Sequence, residues 1–202
     1  MASTVLTPKP LRADARRNRE KVMAAARAAF AEHGSEAQMD EIARRAAVGV
    51  GTVYRHFPTK EALCGALIED TFARLAEEAR AALEEADAWA ALTGLLRAAG
   101  ESLAGDRGLV EAMQAAGERA QSPGERRLPA IAGELMARAQ AAGALRADAV
   151  ADDIPMLMCG VGSATVRKHA CGAHWRRHLA IVIDGLRARP DLEPLPAGGA
   201  AP

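Results

Sequence analysis

The sequence predicts an all-α fold of about nine helices, and three observations carry that expectation. Half of the 202 residues are hydrophobic while only 3% are aromatic, and Ala, Leu and Arg dominate. Such a composition favours helix, because strands draw on β-branched and aromatic residues. Apolar residues recur at helical spacing along nearly the whole chain between two Pro-bearing ends, and no window alternates with the period of two of a half-buried strand.

Taken in order, residues 1–11, with Pro8 and Pro10, read as a disordered arm. Val22, Ala26, Ala29 and Phe30 stripe a first helix over about residues 13–33, stopped by Gly34. Met39, Ile42, Ala43 and Ala46 mark a short second helix, and a third runs over about residues 50–56. Thr59 is a good N-cap for a long fourth helix carrying Leu63, Leu67, Phe72, Leu75 and Leu83. Trp89, Leu92, Leu96, Ala99 and Leu103 stripe a fifth, and Leu109, Val110 and Met113 a shorter sixth. Residues 117–125, with Gly117, Pro123 and Gly124, read as a loop. Leu128, Ile131, Leu135 and Met136 belong to a seventh helix ending near Gly143. Ile154, Leu157, Met158, Val161 and Thr165 stripe an eighth, and Trp175, Leu179, Val182, Ile183 and Leu186 a ninth. Residues 190–202 read as a flexible tail. The expected division is an arm (1–11), a first module (12–58), a helical body (59–189) and the tail.

Net charge is zero but unevenly spread. Residues 1–60 hold 11 basic against 6 acidic residues, so a basic head sits on an acidic body, an asymmetry that suits a polyanion partner for the head. Cys64, Cys159 and Cys171 are odd in number and contain no CxxC, which fits a reducing cytoplasmic setting. No window nears the ~20 apolar residues that span a bilayer, and no signal-peptide core is present. There is no nucleophile–base arrangement, phosphate loop or paired catalytic carboxylates, so an enzyme is not expected, nor any cofactor.

The informative stretch is residues 38–63. A two-turn amphipathic helix, a tight turn at residues 47–49 and a second short helix would pack through Ile42, Ala46, Val48 and Val53. That spacing is a helix-turn-helix, whose second helix can lie in a DNA major groove. Its outward face is bare: Gly49, Val50, Gly51 and Thr52 let backbone and short side chains come close to base edges. Tyr54, Arg55, His56 and Lys60 supply polar and cationic groups where phosphates would lie. Read blandly, Tyr54 is a half-buried packing residue, His56 a surface histidine, and the six basic residues within 9–21 a solvated helix face.

Ile42-Ala43 followed by Val48-Gly-Val-Gly-Thr-Val-Tyr-Arg-His-Phe-Pro-Thr-Lys-Glu-Ala-Leu63 resembles the signature of the TetR/AcrR family of regulators, and Ala29, Phe30 and Gly34 resemble the end of that family's first helix. The resemblance covers about residues 15–63. It implies a sequence-specific DNA-binding transcriptional regulator in which Val50 and Thr52 face base edges while Tyr54, His56 and Lys60 hold phosphates. Arg55 would reach a phosphate or a guanine, and Arg12, Arg16 and Arg17 would add non-specific phosphate contacts. Two positions depart from the pattern. The turn residue usually held by glycine is Ala47, and the N-cap of the second helix is Gln38, a poorer cap than Ser or Thr.

For the body the resemblance implies a ligand-binding and dimerisation domain, giving a homodimeric repressor relieved by an effector. The last two helices, residues 150–189, would form the dimer face, with Gly160 and Ala164 permitting close approach. Phe72, Trp89, Met113, Met136, Met156, Met158 and Cys159 are candidates to line an effector pocket, and the absence of a charge cluster favours a mostly apolar small molecule. Cys171, His174 and His178 share a helical face, yet they stretch over ~10 Å of helix axis. One metal would reach only two of them, so they read as surface residues and no metal site is expected. The competing readings are a regulator without a small-molecule effector, which a closed or polar interior would favour, and a helical enzyme or metal-binding protein.

Overall fold

The computed structural model describes residues 9–106, 108–110, 113, 122–166 and 174–196. Every regular element among them is a helix, with a single isolated bridge between Leu145 and Arg187. Helix α1 spans Lys9–His33 and begins ahead of the expected residue 13. Pro10 sits in its first turn, where a missing N–H costs nothing, so residues 9–11 belong to the helix and not to a disordered arm. A 3-10 turn, Gly34–Glu36, leads to α2 (Met39–Arg45) and α3 (Val50–His56). Thr59 caps α4 (Lys60–Ala82), its Oγ1 accepting from the Ala62 N–H at 3.2 Å.

These elements enclose a first core. Val22, Ala26 and Phe30 of α1 meet Ile42, Val53, Phe57, Leu63 and Leu67, all buried. The expected packing of α2 on α3 is present, with Ile42, Ala46 and Val53 buried and Val48 half-buried. Arg45 straps α2 to the end of α1 through both carboxylate oxygens of Glu32, at 2.8 and 2.6 Å, and is steadied within α2 by Glu41.

The second core belongs to the body. Helix α5 (Ala88–Gly105) opens at Asp87, whose carboxylate accepts from the Trp89 and Ala90 N–H groups. Residues 108–110 are helical. Helix α6 spans Pro123–Ala141, so Pro123 and Gly124, expected in a loop, form its first turn. The signal was a capping box: Ser122 Oγ accepts from the Glu125 N–H while Glu125 Oε2 accepts from the Ser122 N–H, with Pro123 at the first helical position. Gly117 lies outside the described residues. Helices α7 (Asp153–Val166) and α8 (Trp175–Leu186) complete the body. Leu92, Leu96, Leu135, Leu145, Val161 and Leu179 form its centre.

The expected flexible tail is anchored for part of its length. Arg146, 8% exposed, grips both oxygens of Asp148 at 2.6 and 2.9 Å and donates to the carbonyls of Gly185 and Glu193. Asp148 in turn accepts from the Leu195 N–H at 2.7 Å. The backbone of residues 193–195 therefore returns onto the body.

Hydrogen bonds from Arg146 and from the Leu195 N–H hold the Asp148 carboxyl far below the usual carboxylate range. A carboxyl depressed on folding stabilises the protein above its unfolded value of about 3.9 and loses that contribution as pH falls toward the folded value. Asp148→Asn is expected to lower the thermal midpoint at pH 7. The gap to the parent should narrow below about pH 4 in melts followed by circular dichroism.

Candidate nucleic-acid interface and the cavity behind it

The two short helices of the head are set by an unusual turn. Ala47 adopts φ 52°, the left-handed region that favours glycine, so the departure noted in the sequence is accommodated as backbone strain. Gln38 and Gly49 stand at the N-caps of α2 and α3, and neither side chain caps. The Gln38 amide instead donates to the Glu36 carbonyl at 2.9 Å.

Helix α3 turns Val53 into the core and leaves Val50, Gly51, Tyr54 and Arg55 exposed, with Val50 40% and Tyr54 45% accessible. Thr52 and His56 are half-buried at the edges of that face, and the His56 ring tilts against Phe57. A Cβ added at Gly51 would meet nothing within 4 Å, and one at Gly49 only Thr52 Oγ1 at 3.9 Å. Neither glycine is demanded by the protein's own packing. The smoothness of this face is turned outward.

The cations around it are partly engaged. The Lys60 ammonium donates to the Ser35 carbonyl and sits 5.8 Å above the Phe30 ring, which leaves two of its three donors. Arg19 lies 5.0 Å over the Phe57 ring. Arg16 pairs with Glu20 and Arg17 with Asp14 on the open side of α1, and the Arg12 side chain lies outside the described residues.

The head is fastened to the body by a seam that the sequence did not advertise. Arg27 of α1 donates to Asp70 at 2.5 Å, to Thr71 Oγ1 at 3.2 Å and to Asp106 at 3.3 Å. Asp106 is buried, and its other oxygen accepts from the Leu109 N–H at 2.8 Å. Burial pushes the Asp106 carboxyl up, against the pull of that N–H and of Arg27. Beside this cluster the Phe30 side chain lies directly on Gly108, where an added Cβ would fall 1.8 Å from Phe30 Cβ. Only glycine fits there. The one sequence cue was an Asp three residues ahead of Leu109, the spacing of an N-cap.

Behind the seam lies a cavity of about 280 Å³. Thr71, Phe72 and Leu75 of α4, Leu95, Leu96 and Leu103 of α5, and Leu109, Val110 and Met113 wall one side. Leu128 of α6 and Ile154, Met158, Cys159 and Gly162 of α7 wall the other. Among the described residues no lining side chain carries a charge; the polar atoms come from Thr71, Ser102, Cys159 and Ser163.

Of the seven residues expected to line a pocket, the structure brings Phe72, Met113, Met158 and Cys159 to this cavity. The other three are elsewhere. Met136 is buried in the body core, Met156 is 75% exposed, and Trp89 faces a different groove. Met136 and Met156 fall on the wrong faces of their helices, which composition alone does not reveal. His174 and His178 are exposed, Cys171 lies outside the described residues, and no group of three metal-ligating side chains occurs among the described ones. Gly160, expected to admit a partner helix, faces His178 of the same chain. No described helix is long and apolar enough to cross a membrane.

A three-helix head exposing a smooth second helix-turn-helix element, joined to a helical body with an internal cavity, defines a DNA-binding regulator of the two-domain helical class. Comparison with known proteins places it within that class. Residues 22–67 match the family of bacterial regulatory proteins of the TetR type, and residues 87–188 match the C-terminal domain of SbtR-like transcriptional regulators. The chain belongs to the TetR family of transcriptional regulators.

It is similar to a TetR regulatory protein from Mycobacterium vanbaalenii, 41% identical with a TM-score of 0.63, over 89% of this chain and 100% of that one. It is also similar to a TetR regulator from Streptomyces coelicolor, 33% identical with a TM-score of 0.63, over 84% and 98%. An HTH-type transcriptional regulator of Staphylococcus aureus (strain USA300) is 40% identical over 60 residues, 29% of this chain. That match spans only 32% of the curated relative's length.

Because Ala47 holds a left-handed conformation that disfavours a Cβ by ~1–2 kcal/mol, Ala47→Gly is expected to stabilise the protein. Part of that gain is offset by glycine's greater unfolded-state entropy, leaving a net of about 0.5–1 kcal/mol in the urea midpoint.

Proposed function

We propose that this regulator is a homodimeric repressor that reads a palindromic operator through α3 and releases it when a small, mostly apolar molecule fills the cavity between α4, α5 and α7. The observation that carries this reading is the position of the cavity. Thr71 and Leu109 line it, and both are also bonded into the Arg27–Asp106 seam that fixes the head. A ligand that spreads those walls acts on the seam directly, and operator and effector then oppose each other by linkage. The uncharged lining supports a neutral or largely apolar ligand and counts against a regulator without an effector, for which a closed or polar interior is expected.

At the DNA, Val50 and Thr52 face base edges and Tyr54, Arg55 and His56 reach the backbone, with Gly49 and Gly51 allowing close approach. Gln38 and Lys60, tied back to the 3-10 turn, use their remaining polar atoms for phosphates. The exposed apolar side chains Met156 of α7 and Ile181 of α8, 75% and 60% accessible, supply a face for the second copy. That copy is needed to place two α3 helices ~34–36 Å apart on a palindrome.

Gel shifts on the DNA flanking the chain's own gene, with salt varied, test the reading. Wild type should bind with an affinity that falls steeply with salt, and Tyr54→Phe/Lys60→Ala should weaken it and reduce the salt slope by about one, from the lost Lys60 charge. Gly51→Ala should gain up to ~1 kcal/mol of stability, since helical glycine is costly, while losing operator affinity. A stable Gly51→Ala protein that binds as before would remove α3's bare face from the mechanism.

The cavity has its own test. A Cβ at Gly162 meets Leu103 and Val110 at 3.6 Å, so Gly162→Leu enters without a clash at Cβ and pushes its branch into the cavity. It should bind the neutral fluorescent probe N-phenyl-1-naphthylamine at least tenfold more weakly than wild type while keeping the wild-type circular dichroism spectrum. Equal probe binding by the two proteins would show that the cavity is not the apolar site.

A further inference from the structure

A second concavity, of about 370 Å³, lies between α5 and α8, apart from the effector cavity. Both tryptophans of the chain line it. Trp89 stands at one end of α5, and Trp175 packs at the other against Gly100, where an added Cβ would fall 2.8 Å from the indole. Leu179, Ala180 and Ile183 give it an apolar floor.

Around that floor stand three guanidiniums, from Arg97, Arg176 and Arg187, and two carboxylates, from Glu101 and Asp184. The acids are already committed. Glu101 meets Arg176 at 3.4 Å, and Asp184 is held by Arg189 from outside the groove. Among the described residues Arg97 has only a neutral partner, Thr93 Oγ1 at 3.0 Å, and Arg187 lies over the Trp89 ring at 5.4 Å from its centre. Among the described residues neither of these two guanidiniums meets a carboxylate within 4.0 Å.

We infer that the Trp89–Arg97–Arg187 groove is a second ligand site, for a flat aromatic molecule bearing a carboxylate. The chemistry is specific on two counts. Guanidinium binds carboxylate through two parallel N–H bonds, which an ammonium does not reproduce. A flat ring extends the existing Arg187–Trp89 stack, which a small inorganic anion cannot do.

The groove is separate from the proposed dimer face. Arg176, Ala180, Asp184 and Arg187 line one flank of α8, whereas Ile181 lies ~100° further round the helix and His178 faces α7. Binding there leaves the Ile181 face open, and the site stands independently of the effector reading.

Because both tryptophans face the groove, intrinsic fluorescence of the full chain reports on it directly. The test titrates benzoate, with benzamide as its neutral isostere. Benzoate should give a saturable change, with benzamide at least tenfold weaker, and Arg97→Met and Arg187→Met should each weaken benzoate at least tenfold. Both arginines are exposed, and unchanged circular dichroism melts would show that the variants fold. In Gly162→Leu, whose effector cavity is filled, benzoate binding should persist unchanged. No saturable change, equal response to benzamide, indifference to both arginine variants, or loss in Gly162→Leu would each overturn the assignment.

Discussion

The seam between head and body rests on one buried carboxylate. Asp106 has been taken out of water and is compensated by Arg27 on one oxygen and by the Leu109 N–H on the other. A buried ion pair adds little net stability over apolar packing; here loss of Arg27 would strand the buried carboxylate, and with Arg27 about one-third exposed the cost stays below the ~3–5 kcal/mol of a fully buried pair. Such a joint is therefore nearly all-or-none. It forms when α1, α4 and the segment after α5 are in register, and a small shift of any of the three is penalised. Phe30 against Gly108 has the same character in apolar form, since that contact has no space for adjustment.

That rigidity gives the rest of the molecule its logic. The two hydrophobic cores are separate clusters, one in the head and one in the body, and α4 contributes to both: Leu63 and Leu67 to the first, Ala76 and Ala79 to the second. Without the seam the head would ride on α4 alone. With it, the head is held on two sides, and Leu109 belongs at once to the joint, through its N–H on Asp106, and to the cavity wall. A body that changes shape around its cavity must either carry the head along or break the joint. This is what a coupling between two sites requires in physical terms: a shared element whose arrangement both sites bias.

Much of this was legible in the sequence. Helix positions followed from the 3.6-residue stripe, and the caps at Thr59 and Gly49 stand where their residue types predict. The helix-turn-helix was clear because Ile42, Ala46, Val48 and Val53 can serve only one packing. The failures have distinct causes. Pro123 and Gly124 read as loop because the residues that punctuate loops also open helices, and Ser122 with Glu125 was the cue that separates the two cases. Residues 193–195 read as tail because their anchor, Arg146, is nearly fifty residues away and reaches them through backbone atoms. The cavity was half legible. Phe72, Met158 and Cys159 sit on the inner face, but Met136 and Met156 have the same adaptable chemistry on other faces, and only the packing tells them apart. Arg27 was missed because an arginine beside an apolar stripe reads as solvated until its partners from two other segments are in place.

Where the chain departs from local preference is as informative as where it obeys. In the body the helix starts are well made: Asp87 accepts two N–H bonds and Ser122 forms a complete capping box. In the head the opposite holds. Gln38 and Gly49 offer no side-chain cap, Ala47 is held in a left-handed conformation, and Gly51 sits inside a seven-residue helix. Helices of seven residues are not stable on their own, so α2 and α3 persist because Ile42 and Val53 are buried against α1. Four unfavourable local choices within fourteen residues are tolerable only because that core and the seam hold the segment from behind. Their common feature is exposure: all four face outward, and three of them, Ala47, Gly49 and Gly51, carry little or no side chain. A surface meant to remain free would gain from larger residues and better caps at every one of these positions. A surface shaped to accept the edge of a duplex would not.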